Sequence, residues 1–149
     1  QTDYFIPSED TYYHMFPQGG FEENLRQLQT QCKPGAVIIV TLGDKGVVGI
    51  DENDEYFEQQ GYRVDVVDTT GAGDVYHGAF IACLLRGMDV RECSQFAQAV
   101  SAIKCTRMGG RAAIPAFEVA KRFIQTGEID YTAIDEQVAY YSHFPLLKE

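Results

Sequence analysis

Asp68-Thr69-Thr70-Gly71-Ala72-Gly73-Asp74-Val75-Tyr76-His77-Gly78-Ala79-Phe80 is the segment from which the rest of this 149-residue chain is read. It runs from a strand end through a Gly-rich turn into a helix. Residues 73–85 are small or apolar on nearly all sides, which predicts a helix buried among neighbours. Gly71, Ala72 and Gly73 let the backbone approach a ligand closely. Their N–H groups stand at the helix start, where unpaired donors and the helix dipole together favour an anion. A carboxylate directly after such a hole repels phosphate, but it sits where a base can take a proton from an attacking hydroxyl. Asp74 is therefore the candidate catalyst. The same residues also admit a purely structural reading, in which Thr70 or Asp74 caps the helix and the glycines shape a tight turn. No GxxxxGK[ST] loop occurs, and Gly71 and Gly73 are followed by Gly78 rather than by a glycine at the dinucleotide offset.

Working outward, residues 36–41 form a continuous β-branched run, the pattern of a strand covered on both faces as in a parallel sheet. Before it, Phe21, Leu25, Leu28 and Cys32 recur at helical spacing until Lys33-Pro34-Gly35 stops them. After it, residues 47–50 and 55–58 flank the turn formers Asp51-Glu52-Asn53-Asp54 and read as a hairpin, and Tyr62, Val64 and Val66 alternate as a further strand. Downstream, Cys93, Phe96, Ala97, Val100 and Ile103 make an apolar stripe ended by Gly109-Gly110, and Phe117, Ala120, Phe123 and Ile124 predict a helix ending near Gly127. Residues 4–7 read as a strand, and the Tyr-rich tail 130–149 carries no decisive pattern. The expectation is one α/β domain over 1–149, a mainly parallel sheet layered by helices.

Twelve basic against 22 acidic residues give a net charge of -10, which argues against nucleic acid or an anionic membrane as partner. The longest apolar runs, 36–40 and 79–85, are too short to span a bilayer. Cys32, Cys83, Cys93 and Cys105 form no CxxC pair, so neither zinc nor a disulfide framework is indicated, and a reduced, cytoplasmic setting is expected. His77 lies one turn past Asp74 and reads as a satisfied core residue; His14 and His143 have no partner pattern. The chain opens at Gln1 directly ahead of a strand, which suggests a portion of a longer protein.

Asp-Thr-Thr-Gly-Ala-Gly-Asp followed by a small, apolar helix resembles the C-terminal signature of the ribokinase-like, PfkB-type carbohydrate kinases. The resemblance spans roughly residues 4–115 and implies a ribokinase-like fold and ATP-dependent phosphoryl transfer to a hydroxyl of a sugar or related alcohol. By resemblance, Asp74 deprotonates the acceptor, and the Gly71, Ala72 and Gly73 amides stabilise the transferred phosphoryl group. Val40-Thr41-Leu42-Gly43-Asp44-Lys45-Gly46 is similar to the family's strand-end motif, which carries over Thr41, Gly43 and Gly46 as nucleotide contacts. Gln98 stands where the family places a polar residue near adenine, although its pattern alone reads as a solvated helix position. The segment 102–110 resembles the wall of the adenine site and, with Asp68, Thr70 and Gly109, implies oxygen ligands for a monovalent cation such as K⁺. Mg²⁺ is implied on the phosphates. The family's Asn-x-x-Glu motif is replaced by Ser8-Glu9-Asp10-Thr11, leaving Glu9 and Asp10 as its substitutes. The family's N-terminal, sugar-binding half has no counterpart here, so the acceptor and the oligomer are left open, a homodimer among the admissible assemblies. A non-catalytic nucleotide-binding module, or a part that acts only with a partner half, is the alternative.

Overall fold

The β-branched run becomes β2 (Val37–Thr41), flanked on one side by β1 (Tyr4–Phe5) and on the other by β3 (Val47–Ile50), which β4 (Tyr56–Gln59) follows. The computed structural model describes residues 2–142, so His143 and the end of the Tyr-rich tail lie outside the described residues. Helices α1 (Glu9–Met15) and α2 (Phe21–Gln29) precede β2; α3 (Ala72–Leu84), α4 (Val90–Lys104), α5 (Phe117–Thr126) and α6 (Tyr131–Ser142) follow the sheet.

Alternation along β2 makes two cores from one strand. Val37 and Ile39 join Val47, Phe57, Phe80 and Val100 on the face covered by α3 and α4, while Ile38 and Val40 join Leu25, Leu28, Val48 and Ile50 beneath α1 and α2. The result is a helix–sheet–helix sandwich, α/β as expected. The sheet directions differ from the expectation of a mainly parallel sheet. β1 pairs with β2 in parallel, but β2 with β3 and β3 with β4 are antiparallel. A run of apolar residues reports cover on both faces, and cover says nothing about the direction of a neighbouring strand.

The hairpin turn is held by Asp51, which is buried: its Oδ1 accepts from the Asn53 and Glu55 amides, and its Oδ2 takes the Arg91 guanidinium at 2.7 Å. This ties β3–β4 to the start of α4, where Asp89 and Glu92 form a reciprocal capping box. Gly127 ends α5 in the left-handed conformation, as its position predicted. α6 settles most of the ambiguous tail, because Ile134 is buried in the larger core and Gln137 donates to the Ala112 and Ile114 carbonyls.

Two further expectations change, and the segment 8–11 gains a defined structure. Residues 60–66 form no strand; Tyr62 and Val64 instead pack on the larger core, and Val66 is exposed. α3 is not buried all round: Val75, Tyr76, Phe80 and Cys83 face the core, whereas His77, Gly78 and Ile81 are exposed. Ser8-Glu9-Asp10-Thr11 starts a helix, with Ser8 as N-cap accepting from the Thr11 amide and the two acids in the first turn.

Candidate functional site

The turn before α3 has the backbone that the sequence required. Gly71 stands at the N-cap with φ 73°, a left-handed conformation that favours glycine, and no side chain caps the helix. The capping role open to Thr70 or Asp74 is therefore not taken. The Thr70 amide donates to the Asp68 carboxylate at 2.8 Å. Of the expected anion-binding amides, that of Ala72 closes a turn onto the Thr69 carbonyl at 3.0 Å, and those of Gly71 and Gly73 have no backbone partner among the described residues. The next amide, of Asp74, is in the same state, so the helix start offers donors at Gly71, Gly73 and Asp74.

This helix start stands between two cavities. The first, of about 270 Å³, is lined by Thr41, Gly43, Gly46, Ala72, Gly73 and Gln98, together with Gly61, Val64, Ala102 and Cys105. It brings together all four expected nucleotide contacts, which come from β2, the 3-10 turn Gly43–Lys45 with its C-cap Gly46, and α4. Gly46 has φ 109°, and a Cβ there would lie 2.0 Å from the Gln59 carbonyl oxygen. Gly61 meets it from the other side: a Cβ on Gly61 would lie 2.3 Å from the Asp44 carbonyl oxygen. Two chain segments thus touch backbone to backbone and shape the cavity wall. Gly61 escaped the sequence reading because a lone glycine between hairpin and loop looks like any turn residue.

Gln98 is buried, against its solvated pattern. Its Nε2 donates to Gln59 Oε1 at 3.1 Å, and Gln59 Nε2 donates to the Arg91 carbonyl at 2.9 Å. That relay fixes the orientation of both amides, since reversing either would set like groups against each other. Gln98 Oε1 is left buried without a partner among the described residues. An unpaired buried acceptor on a cavity wall is poised for a ligand donor.

The second cavity, of about 700 Å³, is lined by Thr70, Gly71, Asp74, Gly78, Arg86 and Arg111, and closed by the apolar surfaces of Phe96, Ile114 and Phe117. Asp74 opens onto this side, whereas Ala72 and Gly73 open onto the first. His77 is exposed rather than a core residue, and its Nε2 donates to the Ile6 carbonyl at 3.1 Å, linking α3 to the residues after β1.

The expected ligands of a monovalent cation are engaged differently. Lys104 is fully buried, and its Nζ donates to the Asp68 carbonyl at 2.9 Å and to the Thr70 carbonyl. Gly109 contributes its amide, not a carbonyl, donating to Asp68 Oδ2 at 2.8 Å. The Thr70 and Gly109 amides, the Thr70 hydroxyl and the nearby Lys104 charge hold the Asp68 carboxyl down at about 2, against slight opposition from burial. The Val67 and Asp68 amides both donate to the Cys105 carbonyl, so the strand-to-helix loop is riveted to the end of α4. The residues present do not fit K⁺ at these carbonyls. Mg²⁺ carried on phosphates needs only one or two protein carboxylates and no pre-built cage. Among the described residues no three His, Cys, Asp or Glu side chains gather as a metal site, and Glu9 is paired with Lys45 at 2.7 Å. The buried cysteines are not poised as thiolates; burial raises the Cys83 and Cys105 thiols, and pushes Cys93 up to about 12.

The same fold recurs in known proteins. A ribokinase of Lactococcus lactis is 28% identical over 128 residues, covering 86% of this chain and 40% of its own length. A ribokinase-type protein from Escherichia coli, solved in complex with ATP and Mg²⁺, superposes with a TM-score of 0.72 at 33% identity, over 83% of this chain and 39% of that one. A fructokinase of Vibrio cholerae, solved with fructose, ADP and calcium bound, gives a TM-score of 0.70 at 25% identity, over 82% of this chain and 41% of that one. The chain thus spans about two fifths of the length of the relatives it matches, and its fold is ribokinase-like. The model of the pfkB family carbohydrate kinases matches residues 1–116, and the chain belongs to that family.

Proposed function

We propose that this chain carries the nucleotide site and the phosphoryl-transfer centre of an ATP-dependent kinase acting on a hydroxyl of a sugar or sugar-like alcohol. One observation carries the reading. The uncapped start of α3 stands between two cavities, with the expected nucleotide contacts on one side and Asp74 on the other. The first cavity takes the nucleotide, whose base meets the Gln98 Oε1 acceptor and whose phosphates extend to the Gly71 and Gly73 amides. The acceptor enters the second cavity. Its hydroxyl gives a proton to the Asp74 carboxylate as its oxygen attacks the terminal phosphorus, the bond to the bridging oxygen breaks, and ADP leaves with that electron pair. The amides at the helix start take up charge as it spreads over the transferred group, a stabilisation that needs no rearrangement at the moment of reaction. Mg²⁺, when bound with the nucleotide, would supply neutralisation of the phosphate charge.

The test is Asp74→Asn in the full protein. Asp74 makes no helix-capping bond, so the fold and ATP binding are expected to survive. Asn cannot accept the proton, and kcat should fall by about 10²- to 10⁴-fold with ATP affinity, measured by calorimetry, nearly unchanged. A variant retaining more than about a tenth of the wild-type kcat removes Asp74 from the mechanism. ATP binding without turnover on any sugar or alcohol, by wild-type protein, would instead favour a non-catalytic nucleotide-binding module.

A further inference from the structure

A fully buried lysine in a protein core is rare unless its ammonium group is satisfied. Among the described residues, Lys104 is satisfied by the loop that leads into α3. Its Nζ donates to the carbonyl oxygens of Asp68 and Thr70, the residues that flank Thr69 just before the anion-binding turn. Beside them lies the Asp68 carboxylate, fixed by the Thr70 and Gly109 amides at 2.8 Å each. Two inward carbonyl dipoles, a carboxylate and the negative end of α4 make a focus of negative potential that demands a positive charge. A lysine ammonium is a compact point charge with three donors, close to K⁺ in size and in its preference for oxygen.

We infer that Lys104 is a built-in monovalent cation of the phosphate-binding loop, standing where an exchangeable K⁺ would otherwise be needed to hold the Asp68 and Thr70 carbonyls. It is a positioning residue. It touches the loop and lines neither cavity, and through the loop it sets the Gly71 and Gly73 amides. Because the charge is covalently tethered, the shape of the loop does not depend on the salt in solution. The inference rests on the reading of the α3 start as a phosphate site, but its salt dependence can be read without nucleotide.

The experiment is a comparison of KCl with choline chloride at equal ionic strength, in the full protein, with thermal unfolding and ATP affinity as readouts. Wild-type protein should show the same melting temperature and ATP affinity in both salts. Lys104→Ala removes the charge and opens room beside the two carbonyl oxygens. In choline chloride it should melt lower and bind ATP about tenfold or more weakly, as expected when charge-assisted hydrogen bonds are lost. Increasing KCl should then restore both properties saturably. Lys104→Met fills the space without charge and should be impaired in both salts. A saturable, K⁺-specific stabilisation of the wild type overturns the inference, as does a Lys104→Ala protein that binds ATP normally in choline chloride. If Lys104→Ala fails to fold in either salt, the wild-type titration and Lys104→Met still decide the matter. Wild-type protein that binds no ATP sinks the nucleotide reading while leaving the salt dependence of melting as the measure of Lys104.

Discussion

Gly46→Ala should be one of the most damaging single-methyl changes available in this chain. Gly46 has φ 109° and ψ -131°, a region that L side chains rarely adopt, and forcing one there costs about 1–3 kcal/mol. The methyl would also lie 2.0 Å from the Gln59 carbonyl oxygen, 2.6 Å from the Gly61 amide nitrogen and 2.8 Å from the Gln60 carbonyl carbon. All three are backbone atoms, so no rotamer change relieves the contact. Relief requires the 43–46 turn to move away from the end of β4, where Val47 pairs with Gln59 and the Gly61 amide reaches the Lys45 carbonyl at 3.3 Å. Losing one or two such hydrogen bonds adds about 1 kcal/mol each. The sum is about 2–5 kcal/mol, a large share of the ~5–15 kcal/mol that holds a typical domain together. At about 2–4 °C per kcal/mol for a chain of this size, the melting temperature should drop by roughly 4–20 °C. Urea denaturation followed by circular dichroism measures the loss, with an unchanged slope showing that the unfolded state is the same. ATP affinity should fall as well, because the turn is a wall of the first cavity. A midpoint within about 0.5 kcal/mol of wild type would show that this backbone contact does not constrain the loop.

Two other outcomes follow from the same geometry. Gln98→Leu removes the buried unpaired Oε1 but also strands Gln59 Oε1, so stability should change by less than about 1 kcal/mol while ATP affinity falls about tenfold; calorimetry showing unchanged affinity would take Gln98 out of the nucleotide site. Acid should loosen the loop before α3, since the Asp68 carboxyl titrates at about 2 in the folded chain against 3.8 ordinarily. A depressed carboxyl contributes stability that is fully present above about pH 4 and is lost as pH falls through about 2. Asp68→Asn should accordingly flatten the stability profile between pH 4 and 2, and a variant with the wild-type slope in that window would show that Asp68 is not the group responsible.

What was legible in the sequence was local. The Gly-rich turn and α3, the β-branched run of β2, the hairpin around residues 51–54 and the Gly127 stop each depend on neighbours a few residues away, so their residue types alone specified them. Even the gathering of Thr41, Gly43, Gly46 and Gln98 around one cavity followed from a motif resemblance whose members lie at fixed places in the fold. The N-cap signal at Ser8 was equally local, but the resemblance to a metal-organising motif drew attention to Glu9 and Asp10 instead. Tertiary structure decided everything that depends on what comes across from elsewhere. The strand directions were hidden because burial on both faces is the same for either direction. The exposed face of α3 was hidden because an apolar sequence does not say which neighbours are present. Lys104 is the sharpest case. At the last position of an amphipathic helix it reads as a solvent-facing charge matched to the helix dipole. Only the folded chain brings the Asp68 and Thr70 carbonyls, more than thirty residues away, onto its ammonium group.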